Sequence, residues 1–545
     1  MPAAERAFAK RDFILRKAIA LAAAIVLVAC SHPGMHAGSH PHVLRIGYLN
    51  DPSSLNPLFA YAQIQIDLAD LYTETLVGLN SKNELVPLLA QRVPTRENGD
   101  ISADGTTITY HLRHARFADG APFTSADVLF TYRAILDPRN PVTDPDPYRR
   151  IASITTPDTH TVVIRLKERW AAATAELFAQ SDFAYGILPA HAFGGNPDNV
   201  ARDSWNDTPF GTGPFRVTRW ERGTEIVLAP NLYAWRKPKL AALLVKIYPE
   251  DAARLIALRT GEIDVTDVQG EQALRAASLP GVRVAMTPMN GEFFLAFQTQ
   301  RPNMNEPLVR RAISESIDRN SILHDALFGL NPSDTTEDPA VLWSFNSSIP
   351  AIPRDIKAAA RDFDAAGWHL QNGERMKNGK PLVVDIAFES TRAYWRRIAV
   401  LVQNDLRRAG VQADLHGYTV TAFMGGSSKD VLHSGRFDIA LAGFDNGSDP
   451  EQSEQFTCRQ RGPSGSDFTR YCDAAYDAAY AVQQNTLNRS ARRAAFLQMQ
   501  RLFHRSYAAD FLFTDVYHDA LADGVTGWAP NMLFRYSNAE RWDVK

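Results

Sequence analysis

Residues 382–411 hold the unit that most constrains the fold. Leu382-Val383-Val384-Asp385-Ile386-Ala387-Phe388 is a largely apolar run of strand length. Tyr394 to Ala409 then places Ile398, Leu401, Val402, Asp405 and Leu406 at helical spacing, and Gly410 stops that helix. Val411 opens another strand. The same grammar appears at the front of the chain, where Val43–Leu49 reads as a strand, Ser53–Pro57 as a turn and Ile64–Leu76 as a helix. Near the end, Ser490 starts an amphipathic helix that uses Phe496, Met499, Leu502 and Phe503. Strands alternating with helices predict α/β lobes.

At 545 residues the chain has room for two or three domains, taking about 100–200 residues for each. Its 58 basic and 61 acidic residues leave a net charge of −3, which supplies no broad basic field for nucleic acid. The N-terminus reads as an address. Arg6, Lys10, Arg11, Arg16 and Lys17 flank an apolar run from Ala18 to Ala29, which is short for a bilayer span and suits a signal peptide. That run ends Leu27-Val28-Ala29-Cys30, which resembles a bacterial lipobox. The resemblance implies cleavage before Cys30, lipidation of Cys30, and a protein in the periplasm or at the cell surface anchored to a bacterial membrane. Residues 31–42 then form a tether with four histidines, whose Gly and Pro give no fixed geometry for a metal. Cys458 and Cys472 remain; they flank the Gly462–Ser466 loop, and export predicts one disulfide between them.

The longest ordered motif lies at 104–128. Asp104-Gly105 is a turn, Thr106–Arg113 alternates as a half-buried strand, and Thr124 stands as N-cap to a helix with Asp127 three residues on. Asp104-Gly105-Thr106-x-x-Thr109-Tyr110-x-Leu112-Arg113, followed by Phe117-Ala118-Asp119-Gly120-x-Pro122-Phe123-Thr124-x-Ala126-Asp127-Val128, resembles the signature of family 5 extracellular solute-binding proteins. Phe210–Phe215, Asn231–Trp235, Leu258–Asp264, Gly367-Trp368 and Asp405–Val411 are similar to further family segments. Pro307–Ile313 with Ser316–Arg319 is similar to the family's long interlobe helix. The resemblance implies an α/β, two-lobed periplasmic-binding-protein-like (class II) fold with a discontinuous lobe one and an extra domain. Lobe one is expected at 43–80, 208–290 and 507–545, the extra domain at 81–207 and lobe two at 291–506. It also implies capture of di- or oligopeptides between the lobes for the permease and ATPase subunits of an ABC importer, by a monomer with no cofactor. A nickel, metal-chelate or other small-solute binder of the same family is the alternative.

Candidate ligand residues cluster after a buried strand. Phe437–Ala442 is apolar apart from Asp438, and Gly443-Phe444-Asp445-Asn446-Gly447-Ser448-Asp449-Pro450-Glu451 breaks into a carboxylate-rich loop with no cation before Arg459. A peptide in an interlobe cleft presents an ammonium that needs a buried carboxylate. The loop is similar to that of dipeptide binders, with Phe444 in place of Trp and one residue fewer before Asp449-Pro450. The resemblance assigns the ammonium to Asp445, or to position Asn446 in the other register, and leaves Asp449 to organise the turn. Gly443, Phe444, Asn446 and Arg392 complete the expected contacts, with Arg392 receiving the carboxylate in a bidentate pair. No Gly-x-Ser-x-Gly elbow or His-Glu-x-x-His helix occurs, so no catalytic residue is expected.

Overall fold

The computed structural model describes residues 42–545 except 182 and 184. Cys30 and residues 31–41 of the tether lie outside the described residues. A ten-stranded mixed sheet runs through the molecule. Its strands are β1 (Val43–Tyr48), β2 (Phe215–Glu221), β3 (Glu225–Pro230), β4 (Ala242–Ile247), β5 (Val265–Asp267), β6 (Val282–Phe297), β7 (Val383–Glu389), β8 (Gln412–Tyr418), β9 (Ile439–Asp445) and β10 (Ala509–Ala522). The order across the sheet is β8-β7-β9-β6-β10-β5-β1-β4-β3-β2. The parallel pairs β7/β8 and β1/β4 sit on opposite sides of the long antiparallel pair β6/β10.

β6 and β10 belong to both lobes. Val282–Pro288 pairs with Val516–Ala522, and β10 there also pairs with β5 of lobe one. Glu292–Ala296 pairs with Ala509–Thr514, and there β6 also pairs with β9 of lobe two. Between these halves Met289, Asn290 and Gly291 stand opposite Asp515 alone. A bulge of this kind bends a strand and raises its twist, so the sheet changes direction where it passes between lobes. Residues 509–514 therefore pair with β6 where it also adjoins β9, and β10 passes the bulge at Asp515.

Each part has its own core. In lobe one, helix α1 (Gln63–Tyr72) buries Leu68, Leu71 and Tyr72 against Leu44, Phe215 and Trp542. The expected helix to Leu76 stops at Tyr72. The extra domain is a three-stranded antiparallel sheet (Thr107–His111, Thr161–Leu166, Ile151–Asp158) beneath helix α2 (Ser125–Leu136). The Asp127 carboxylate accepts from the Thr124 amide at 2.8 Å, as the capping pattern predicts. Tyr110, Phe117, Phe123 and Phe178 fill its core.

Lobe two packs helix α3 (Pro307–Ser316) and helix α4 (Ala393–Arg408) on one face of the sheet, with helix α5 (Ala474–Asn485) and helix α6 (Arg489–Ser506) on the other. The expected long interlobe helix at 307–319 is instead the ten-residue α3. Ile317 ends it, Asp318 begins a separate turn, and Val309, Ala312 and Ile313 bury into lobe two. Cys458 and Cys472 form a disulfide with Cα atoms 4.5 Å apart.

Candidate functional site

β9 delivers its last residue to the crossing. Asp445 pairs with Gly291 inside the bulge of β6. A Cβ at Gly291 would lie 2.5 Å from Asp445 Oδ1 and 3.4 Å from Asp515 Cβ, so a side chain there would push the Asp445 carboxylate aside. The backbone then turns away. The Asn446 amide donates to the Asn290 carbonyl at 2.8 Å, and Asn290 Nδ2 donates to the Gly447 carbonyl at 2.6 Å.

The loop opens on a cleft of about 500 Å³ between lobe two and the extra domain. Asp445, Asn446, Gly447 and Glu451 line one wall; Asp144, Arg150, Trp170 and Glu176 line the other. The two parts touch across it. Ser448 Oγ donates to the Ala175 carbonyl at 2.8 Å, Trp170 Nε1 to Glu451 Oε2 at 2.6 Å, and Arg169 Nη1 to the Asn485 carbonyl at 3.0 Å. The Ala171 amide donates to the Gln484 carbonyl at 3.1 Å.

The residues expected to meet ligand separate into distinct surroundings. Asp445 is reached by water, yet protein walls surround it, and a carboxylate in such a cavity is solvated less than one on a convex surface. Its pKa is pushed up to about 7, first by that burial and then by Asp515, while Arg392 pulls it down. Among the described residues no Lys, Arg or His forms an ion pair with Asp445. Arg392 stands just before α4, donates to the Tyr394 hydroxyl at 3.0 Å and lies 3.8 Å from Glu389 Oε2. Burial lowers its pKa, but Tyr394, Asp515 and Asp445 outweigh this and raise it.

Asn446 is buried. Its Nδ2 donates to Glu292 Oε2 at 2.6 Å and its Oδ1 accepts from Gln455 at 2.9 Å, so its polar atoms are already engaged. Phe444, expected to flank the ligand, faces the other way, because successive strand residues alternate faces. Its ring stacks on Phe468 at 5.1 Å and packs on Phe294 at 5.8 Å, inside lobe two. Gly443 accommodates Phe293, whose Cδ1 would sit 2.4 Å from a Cβ there. Asp449 is buried and takes a bidentate pair from Arg492 at 2.6 and 2.9 Å.

Several participants carry no local signal. Asp515 sits in Phe511-Leu512-Phe513-Thr514-Asp515-Val516-Tyr517, which reads as a buried strand with one polar interruption. Arg492 is 43 residues beyond Asp449, and Glu292 is 154 residues before Asn446. The available clue was an acid within an apolar strand, Glu292 alone on β6 and Asp515 alongside Asp510 and Asp519 on β10. Among the described residues no group of three or more His, Cys, Asp or Glu is arranged to hold a metal ion, and no helix is long and apolar enough to cross a membrane.

A sheet shared by two lobes through two crossing strands, with a polar cleft at the crossing, defines a two-lobed solute-binding protein. Comparison with known sequences gives the family. Residues 84–466 match the bacterial extracellular solute-binding proteins, family 5 (middle region), and the chain belongs to that family. A Brucella ovis protein named for peptide binding in an ABC transporter is 28% identical over 492 residues, covering 87% of this chain and 88% of its own. The nickel-binding periplasmic protein of Escherichia coli is 26% identical over 403 residues, covering 72% of this chain and 74% of its own. The oligopeptide-binding protein AppA of Bacillus subtilis, solved with a nonapeptide, superposes with a TM-score of 0.73 over 93% of this chain and 100% of its own, at 20% identity. The two share a fold.

Proposed function

We propose that this protein is the extracytoplasmic substrate-binding component of an ABC importer, and that it captures di- or oligopeptides without altering them. The observation that carries this reading is Asp445, a carboxylate in a walled cleft with no ion-pair partner of its own among the described residues. An α-ammonium supplies the missing charge. Arg392, close enough to act on Asp445, offers a guanidinium to the peptide carboxylate. Asp449, committed to Arg492, organises the loop instead. The family's membership in transport, and peptide-named relatives over most of the chain, support the same reading. Cys30 is the proposed lipid anchor that keeps the receptor beside its permease.

A metal-chelate ligand is the second reading, favoured by the nickel-named relative. Calorimetry separates the two. The mature protein is titrated with free, N-acetylated and C-amidated forms of a di- and tripeptide library, with Ni²⁺ and with Ni²⁺–histidine. Peptide capture requires that acetylation weaken binding strongly and amidation weaken it in an Arg392-dependent way. Tight binding of the nickel species with none of the peptides would reverse the choice.

A further inference from the structure

Asp515 lies on β10, at the residue where this strand passes between lobes. The bulge that frees Asn290 and Gly291 from pairing with β10 leaves Asp515 near Gly291, which pairs with Asp445 on its other side, and the missing Cβ of Gly291 lets Asp515 and Asp445 approach from two strands. The Asp515 carboxylate is partly exposed and is held in place by the Val516 amide, which donates to Oδ1 at 2.8 Å.

The groups facing this pair are Arg392 and Tyr394 from the start of α4, Glu292 from β6, Tyr517 from β10 and Arg535 from the C-terminal segment. The two cations have other commitments. Arg535 lies 3.1 Å from Asp519 and 3.5 Å from Asp67, beneath which Tyr517 stacks at 4.6 Å from the guanidinium. Arg392 is shared with Tyr394 and Glu389. Burial pushes Asp515 up as well as Asp445, and two such neighbours cannot both ionise at low cost.

We infer that Asp515 is a second receptor for the ligand's ammonium, so that Asp445 and Asp515 act as a two-carboxylate clamp selecting solutes with a protonated amine. The inference rests on the peptide reading of the cleft above. An ammonium has three N–H donors, enough to serve both carboxylates at once, and its charge lets both ionise. One strand of the clamp ends in lobe two and the other runs on into lobe one, so the amine is gripped where the lobes turn on each other. A single carboxylate would accept an amine; the pair also rejects an N-blocked or anionic end, which would leave two acids facing each other without a cation.

The test uses the mature protein, the di- and tripeptide library and its N-acetylated counterpart, with the ratio of the two affinities as the readout at pH 7.5. Asp515→Asn keeps the Val516 contact and the shape; Asp515→Ser serves as the second variant, and melting temperatures identify any folding loss. The wild type is expected to favour the free amine, and each of Asp445→Asn, Asp515→Asn and Asp515→Ser to reduce that preference by about tenfold or more, a change of one decade in relative affinity. A merely structural Asp515 would lower both affinities together and leave the ratio unchanged, which overturns the inference while the peptide reading stands. If the wild type shows no preference, the ammonium site itself is misassigned and the role of Asp515 falls with it.

Discussion

Replacing Asp445 with Asn changes one charge and almost no volume at the end of β9, which makes it the sharpest perturbation of the site. Breaking one partner of a buried charge pair costs about 3–5 kcal/mol, or about two to four decades of affinity. Two features of the cleft reduce this. Its cavity and Asp515 push the Asp445 carboxylate up to about 7, so at neutral pH ligand must displace a proton from part of the population. Asp515 also ionises more readily once its neighbour is neutral. The expected loss for free-amine peptides is therefore about two decades, with N-acetylated peptides nearly unchanged. The wild-type pH profile has a defined sign. Because the ammonium favours ionised Asp445, ligand lowers its pKa, protons are released on binding, and affinity rises with pH up to about 7. Asp445→Asn flattens that rise to whatever Asp515 still supplies. Calorimetry in buffers of different ionisation enthalpy reads the proton count directly. An Asn variant that loses free and acetylated peptides equally, or that keeps the full proton release, would refute the assignment.

Asp449→Asn should lower the melting temperature rather than ligand selectivity, because it leaves Arg492 buried without its partner at a cost of about 3–5 kcal/mol; an unchanged melt would show that Arg492 finds another partner. Gly291→Ala places a methyl 2.5 Å from Asp445 Oδ1 and should weaken free-amine peptides while leaving the melt nearly intact; unaltered affinity would mean that Asp445 has room to move. Reducing the Cys458–Cys472 bridge, with a sequence separation of 14, should destabilise lobe two by about 3 kcal/mol on the chain-entropy account. Cys30→Ser should release the protein from the membrane fraction or leave it unprocessed, and unchanged fractionation and mass would remove the proposed anchor.

The residues that alternate by strand and helix were legible because burial enforces their periods. Leu382–Phe388, the helix from Tyr394 and the stop at Gly410 all appear within a residue or two of where the pattern puts them. Asp445 was legible as a carboxylate at a strand end. Its surroundings were not, because they depend on register: Gly291 and Asp515 reach it only through the pairing of β9 with β6 and of β6 with β10. Phe444, which the family resemblance places beside the ligand, stacks its ring on Phe468, a contact that depends on the pleat and on the chain returning to β9 and that no local pattern gives. The interlobe helix failed because family likeness at 307–319 spans two elements, separated at Ile317.

The bonds that join the extra domain to lobe two are made from protein groups alone. Ser448 to Ala175, Trp170 to Glu451, Ala171 to Gln484 and Arg169 to Asn485 need no solute atom to complete them. Each contributes about 0.5–1.5 kcal/mol net, so this edge of the cleft is fastened by the chain itself, and a solute there has to fill the space beside Asp445 rather than complete the join.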